Sequence, residues 1–497
     1  MKAGKITVNE LFSGIGAQIS ALERLGIPRE IKHTSDIDHN AVLAYASIHC
    51  GLTEELINTY TEYPTREEMA RQLTEINLGY DFQKNKPYNW YRFVNSKSKE
   101  LEKYWLANKL SRNLGDISKL EHLDYADFWT YSFPCTDISV AGKQEGIKQG
   151  QTRSGLLYEV QRLLEKADKM LALPKYLMLE NVKNLVGKKF KPQFDEWVAW
   201  LDELGYNTYW KVLNAKDYGV PQNRERVFAI SIRKDIDDGK FEFPQPFDNG
   251  VRLKDVLEDN VDEKYYLSKD IQNRLIITDE TLTKNIIDTT KPEYRSIGQR
   301  DLVYSENSIM GTLVATDYKQ PKQILETNRC IQVGNLNYYN YDKMNRVYSK
   351  GGCSPALEIM QGGNRQPKIA EPIAYVKEAI KKGYAEIYEG DSVNLEQPNS
   401  KTRRGRVGKG CAQILTTSCN QAVIEPEIKS LRVRKLTPKE CYKLMGFTDK
   451  QFDRSQAFSS DSQLYKQAGN SIVVDVLYYI FGKLFEVDIE TRKETEC

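Results

Sequence analysis

The stretch KITVNELFSGIGAQISALERLGI, residues 5–27, constrains the fold more than any other. It reads as an apolar strand, a tight glycine turn and a helix with Ile19, Leu22 and Leu25 on one face. A strand that enters a helix through so short a turn belongs to an α/β sheet, whose sites assemble at the carboxyl ends of its strands. Gly14 and Gly16 let the backbone pass close to a ligand at the helix start. Ile19 stands where a dinucleotide fingerprint has its third glycine, so the turn suits a smaller nucleoside better than a pyrophosphate.

Three further strand ends carry polar groups. Asp36 closes a second expected strand, IKHTSD, where a carboxylate can accept from both ribose hydroxyls; the alternative is an Asp capping the helix HNAVLAYASI. GDISKL places Asp116 and Ile117 at the end of a third expected strand, where they could hold an adenine amino group and cover its ring, or form an ordinary strand-to-helix turn. In YSFPCTDISVAGKQEG, Tyr131 to Gly146, the apolar DFWTYSF leads into Pro134-Cys135 and a loop of small and polar residues. A thiol there suits a nucleophile, although cysteine is also among the residue types most often buried for packing alone.

After an amphipathic helix, SGLLYEVQRLLEKADKML, the strand PKYLMLENVKNL ends in Glu180-Asn181 at the same carboxyl edge as Cys135. A buried glutamate needs a partner or a proton, which general acid work also requires. In QNRERVFAISIR, Arg224 and Arg226 lie two apart and so on one strand face, positioned for an anion or carbonyl oxygen; surface ion pairing is the alternative. Residues 52–113 turn strongly charged, with helical pieces TREEMARQLTEI and SKELEKYWLANKL, and read as an insertion on the sheet's flank.

At 497 residues the chain exceeds what one core usually serves, so two domains are expected. No apolar run approaches the ~18 residues of a membrane span, and the opening MKAGKITVNELF shows no signal-peptide core. The eight cysteines are scattered with no C-x-x-C pair, and there are only four histidines, so no metal site or disulfide framework is indicated. A cytoplasmic protein with free thiols and no membrane partner is the expectation.

FSGIGA, the Pro-Cys loop with GKQEG, ENVKN, QNRER, RKLTPKECYKLMGF and QAGNSIVVDVL occur in an order that resembles the cytosine-C5 DNA methyltransferases. The resemblance implies a Rossmann-like α/β fold of the class I S-adenosylmethionine-dependent methyltransferases with an inserted, mainly β target recognition domain. The catalytic domain would span 1–245, the recognition domain 246–427, and 428–497 would return to the catalytic domain. By matching, Cys135 is the nucleophile, Glu180 the acid at cytosine N3, Arg226 the holder of cytosine O2 with Arg224 beside it, and Asn181 orients the Pro-Cys loop. S-adenosyl-L-methionine would contact Phe12, Gly14, Gly16, Asp36, Ile37, Asp116, Ile117, Pro134, Leu157, Asn470 and Ile472, and no metal is implied. The resemblance implies duplex DNA as the partner of a monomeric chain, with a cognate restriction endonuclease acting independently. Ile37, Thr136 and Ala141 depart from the aromatic, glutamine and serine found at matching positions.

Residues 246–427 also hold an internal repeat beginning at Arg300, Arg346 and Arg406, each copy with a leucine (Leu313, Leu357, Leu415) ahead of a loop closing on isoleucine. Only Thr312-Leu313 keeps the Thr-Leu pair that marks the family's recognition loop. KTRRGRVGK, with Lys401, Arg403, Arg404, Arg406 and Lys409, is the densest basic cluster and suits phosphates, or is a charged surface loop. Two alternatives remain at this stage: an RNA cytosine-C5 methyltransferase and a catalytically silent DNA-binding relative.

Overall fold

β1 (Ile6–Leu11) is an interior strand, second from one edge of a six-stranded sheet, and its apolar residues are covered on both faces. The computed structural model describes residues 4–81, 86–139, 145–258, 260–266, 286–289, 301–305, 308–327, 332–335, 346–349, 368–370, 374–377, 384–387, 392–394, 407–408, 421–423, 431–487 and 489. β1 pairs in parallel with β2 (Arg29–Ser35) on one side and β3 (Phe128–Tyr131) on the other. β3 pairs in parallel with β4 (Tyr176–Val182). After β5 (Tyr206–Asn214) and a two-residue strand β6 (Gln222–Asn223) outside this sheet, β7 (Glu225–Arg233) runs antiparallel between β4 and β5, giving the order β2-β1-β3-β4-β7-β5. The chain steps outward from β1 to β2 and returns across it to β3, so the strand order reverses there and leaves a crevice at the carboxyl ends.

Alternate residues feed two cores. Val8, Phe128, Met178 and Ile230 meet Ile19 and Leu22 of α1 (Ala17–Arg24) and Leu477, Ile480 and Phe481 of the C-terminal helix Val474–Leu484. Trp129, Leu177 and Leu179 meet Val160, Leu163 and Leu164 of the helix Leu157–Lys169, and Phe194 and Trp197 of the helix Lys191–Glu203. The period-two alternation of the strands thus selects which helix each side chain meets.

The insertion builds a third core. Its helices, Glu54–Thr59, Arg66–Glu75 and Glu100–Leu110, bury Ile57, Met69, Leu73, Leu101 and Trp105 together with Trp90 and residues of the helix His39–His49. Thr53 and Thr65 start the first two by accepting backbone N–H groups. GDISKL forms no strand: Asn113 makes one isolated bridge to Thr34, and Asp116 caps a short 3-10 turn. The left-handed residues Arg112 (φ 51°) and Gly115 (φ 73°) interrupt extended pairing.

The chain divides into two compact units, one of residues 1–265, 274–324 and 435–497, the other of 266–273 and 325–434. This differs from a single block at 246–427. Met310-Gly311 pairs in parallel with Gln222-Asn223, and Leu313 is buried in the first unit's core, which holds that segment with residues 1–245. The second unit's described elements are strands: Gln332–Asn335, Arg346–Ser349 and Lys368–Ala370 form one sheet, and Ala374–Lys377 pairs with Tyr384–Ile387. Ser392–Asn394 lies between Val407–Gly408 and Gln421–Val423.

Candidate active site

β3 ends at Tyr131, and four residues later the half-buried Cys135 lies beside the end of β4. The loop that carries it is held from several sides. Asn181 Nδ2 donates to Phe133 O (3.0 Å), Ser154 Oγ to Pro134 O (2.7 Å) and Asn184 Nδ2 to Ile138 O (2.6 Å). Asp137 accepts from Ser154 N at 2.9 Å, and Ile138 N and Ser139 N close a turn on Cys135 O. The resemblance assigns Asn181 to this loop; it does not single out Ser154, Asn184 or Asp137. ENVKN carries Asn184 in plain view, but only the folded loop shows what it meets.

Glu180 lies on β4, 7% exposed, and pairs in register with Phe228, while Val182 pairs with Arg226. Glu180 and Arg226 are therefore diagonal neighbours on one face of an antiparallel pair. Arg226 Nε lies 3.3 Å from Glu180 Oε1, and Arg226 Nη1 donates to Glu225 O. Burial pushes the Glu180 carboxyl above its usual range, with Arg226 and Arg224 opposing. Burial also pushes the Cys135 thiol up, with Arg226 the main opposing charge and Glu180 adding to the rise. Cys135, Glu180 and Arg226 thus share one electrostatic environment at the carboxyl edge, as a thiol, an acid and a cation.

Arg224 is placed differently from the paired arrangement read from the sequence. It lies between the strand pair Gln222–Asn223 and β7, is 4% exposed, and donates to three carbonyls: Leu313 O (2.6 Å), Ser471 O (2.7 Å) and Gly469 O (3.2 Å). Strand alternation does not carry through this junction, so its hydrogen bonds go to scaffold, and it reaches Glu180 and Cys135 through charge.

The nucleoside residues gather at the ends of β1 and β2. Phe12 (φ 58°) turns the chain, and Gly16 (φ 78°) starts α1, where a Cβ would fall 2.6 Å from His49 Nε2. Asp36 Oδ2 accepts from Gly14 N (2.9 Å) and Oδ1 from Asp38 N (2.8 Å). Burial and the neighbouring Asp38 push its carboxyl to about 6. The helix cap ahead of HNAVLAYASI is Asp38, which accepts from Asn40 N. Ile37 and Pro134 are half-buried, Ile117, Leu157 and Ile472 buried, and Asn470, at the end of the helix Asp461–Asn470, exposed. Thr136 is exposed, and Ala141 lies outside the described residues.

Of the residues expected to meet nucleic acid, Thr312 donates from Oγ1 to Asn223 O (2.6 Å) and Leu313 N donates to Gln222 Oε1 (3.0 Å). Leu313 is 2% exposed and anchors this segment as packing. Arg346 opens a strand of the second unit. Arg300, Arg403, Arg404 and Arg406, with Leu357, Leu415, Lys401 and Lys409, lie outside the described residues. Among the described residues no group of three or more His, Cys, Asp or Glu side chains is arranged to hold a metal, and no helix is long and apolar enough to cross a membrane.

Residues 78–486 match the family described as C-5 cytosine-specific DNA methylase. The type II methyltransferase M2.ScrFI of Lactococcus lactis subsp. cremoris is 33% identical over 489 residues, covering 97% of this chain and 99% of that protein. The orphan methyltransferase M.SPBetaI of Bacillus phage SPbeta is 28% identical, with 99% of this chain and 100% of the phage protein covered. The orphan methyltransferase M.SssI of Spiroplasma monobiae is 36% identical over 328 residues, 63% of this chain and 81% of that protein.

Proposed function

The chain belongs to the C-5 cytosine-specific DNA methylase family, and from that premise we propose that it methylates carbon 5 of a flipped cytosine in duplex DNA through a transient Cys135 adduct. The observation that carries this reading is the shared environment of Cys135, Glu180 and Arg226, with the guanidinium Nε 3.3 Å from the carboxylate.

Carbon 5 of cytosine is too weak a nucleophile to take a methyl group unaided. In this reading the Cys135 sulfur bonds to carbon 6, and the displaced electron pair moves toward N3, where Glu180 supplies a proton. Burial favours the protonated form that this step requires. Carbon 5 then forms its bond to methyl as the methyl–sulfonium bond breaks and leaves its electron pair on the donor sulfur. Carbon 5 loses its proton to water, the bond between carbon 6 and the Cys135 sulfur breaks to return the thiolate, and the N3 proton goes back to Glu180. Arg226 stabilises charge on the adduct through the pyrimidine O2. Stacking covers both ring faces inside a duplex, so the base must leave the helix to be reached.

S-adenosyl-L-methionine, when bound, supplies an electrophilic methyl group on a sulfonium. Asp36 fits its ribose: a carboxyl pushed to about 6 by burial gains from two hydroxyl donors, and each of its oxygens has a lone pair beyond the backbone bond it accepts. Phe12, Gly14, Gly16, Ile37, Asp116, Ile117, Pro134, Leu157, Asn470 and Ile472 complete the assigned pocket. Residues 246–427, of which 274–324 fold with the first unit, supply target recognition, with Arg300, Thr312, Arg346, Arg403, Arg404 and Arg406 toward DNA. The enzyme works as a cytoplasmic monomer, independently of any endonuclease that shares its DNA word.

Transfer of labelled methyl from S-adenosyl-L-methionine to duplex DNA and to transfer RNA, run side by side, tests this. Label at cytosine carbon 5 of DNA alone is the expected result. Label in RNA alone, or in neither, overturns it in favour of an RNA methyltransferase or a silent DNA-binding protein.

A further inference from the structure

The charged insertion at 52–113 has no part in the chemistry above, yet its turn at 76–79 meets the residues assigned to adenine. Asp116 N donates to Ile76 O (2.9 Å), and Gly79 N donates to Ile37 O (2.7 Å). Asn77 Nδ2 donates to Asp116 Oδ2 at 2.7 Å. The turn therefore bridges the end of β2 and the segment that carries Asp116. The approach is close: a Cβ on Gly115, itself at φ +73°, would lie 2.1 Å from Ile76 O. Asn77 has φ 55°, a left-handed conformation that asparagine tolerates better than most residues.

The hydrogen bonds fix the carboxylate. Asp116 Oδ1 accepts from Ser118 N (3.0 Å) and Ser118 Oγ (2.7 Å), and Asn77 holds Oδ2. With a donor on each oxygen, rotation of the group is blocked, while Oδ2 keeps a second lone pair for another donor. Without Asn77 the carboxylate is held at Oδ1 alone, by Ser118, and can turn about that oxygen, which re-aims Oδ2.

We propose that Asn77 is a positioning residue that aims Asp116 at the exocyclic amino group of adenine, which makes the insertion a wall of the nucleoside pocket and a determinant of its selectivity. The inference rests on the cofactor reading given above. Its consequence is specific: losing Asn77 weakens the discrimination between a 6-amino and a 6-oxo purine, and leaves the methyl-transfer centre alone.

Two variants separate the roles. Asn77→Gly removes the donor and keeps the left-handed turn; Asn77→Asp keeps the shape but sets a second carboxylate against Asp116. With duplex DNA saturating, the Michaelis constant for S-adenosyl-L-methionine should rise about tenfold in Asn77→Gly and further in Asn77→Asp, while kcat changes less than about twofold. Inhibition by S-adenosylhomocysteine and by its inosine counterpart is measured alongside. Wild type favours the adenosine compound, and the ratio of inhibition constants should shrink in both variants. That ratio does not depend on the fraction of enzyme folded, so partial misfolding cannot mimic the effect. A ratio within twofold of wild type in both variants overturns the inference, provided Asp116→Ala loses the discrimination. If Asp116→Ala keeps it, or wild type has none, the adenine assignment fails first and this inference with it.

Discussion

Cys135 rests as a thiol, because burial raises its pKa more than Arg226 lowers it. Glu180 holds its proton beyond the ordinary carboxylate range for the same reason. The step needs Cys135 ionised and Glu180 protonated, so the rate should rise with pH as the thiol ionises and fall as Glu180 loses its proton, with apparent values belonging to the pair. Cys135→Ser should abolish methylation while S-adenosyl-L-methionine still binds by calorimetry; retained turnover would mean that another residue is the nucleophile. Glu180→Gln should lower kcat by ~10²-fold or more and remove the alkaline fall, since an amide has no proton to lose in this range. DNA carrying 5-fluorocytosine at the target should give a complex that survives denaturing electrophoresis, because fluorine cannot leave as a proton does. Active enzyme without such a band would argue against the adduct.

Among the elements, β1 carries a cost its sequence only hints at. Glu10 is fully buried, accepts from Tyr45 Oη, and burial pushes its carboxyl to about 8. An unfolded glutamate titrates near 4.5, so the folded state holds the extra proton between these values. Glu10's contribution is complete below the unfolded value and is lost as pH rises toward about 8, at up to about 1.4 kcal/mol per pH unit. Glu10→Gln cannot ionise and still accepts from Tyr45. Its stability relative to wild type should therefore grow from pH 5 to pH 8 in urea denaturation, and a constant difference across that range would refute a buried neutral Glu10. The same scale shows where local pattern fails. The strand, turn and helix at residues 5–27 form as their alternation and glycines indicate, but the strand expected to end at Asp116 and Ile117 is reduced to one isolated bridge, Asn113 to Thr34, because the left-handed Arg112 and Gly115 break extended pairing.

Across the molecule, Arg224 ties together segments that the chain keeps far apart. Its partners are 89, 245 and 247 residues away, and Arg224 itself is only 4% exposed. Arg224→Met should lower stability by about 3 kcal/mol in denaturant unfolding, because three buried carbonyls lose their donor. A change under ~0.5 kcal/mol would show that these bonds are dispensable. Gly469 packs against the same junction, where a Cβ would lie 2.3 Å from Val314 C. The Thr312-Leu313 segment is consequently held by the catalytic unit, although its sequence reads as part of a separate recognition block.

The sequence by itself determined the α/β alternation, the glycine turn and the polar residues that end each strand, since these follow from contacts and conformational limits within a few residues. Cys135, Glu180 and Arg226 were legible because a strand's carboxyl end is a local feature, and the resemblance supplied their order. Only the tertiary structure decided that Arg224 clamps three carbonyls, that Leu313 is core, and that Asn77 holds Asp116 from 39 residues away. Those outcomes depend on which surfaces meet after the chain has closed long loops, and hydrogen bonds across such distances leave no periodicity in the sequence to read.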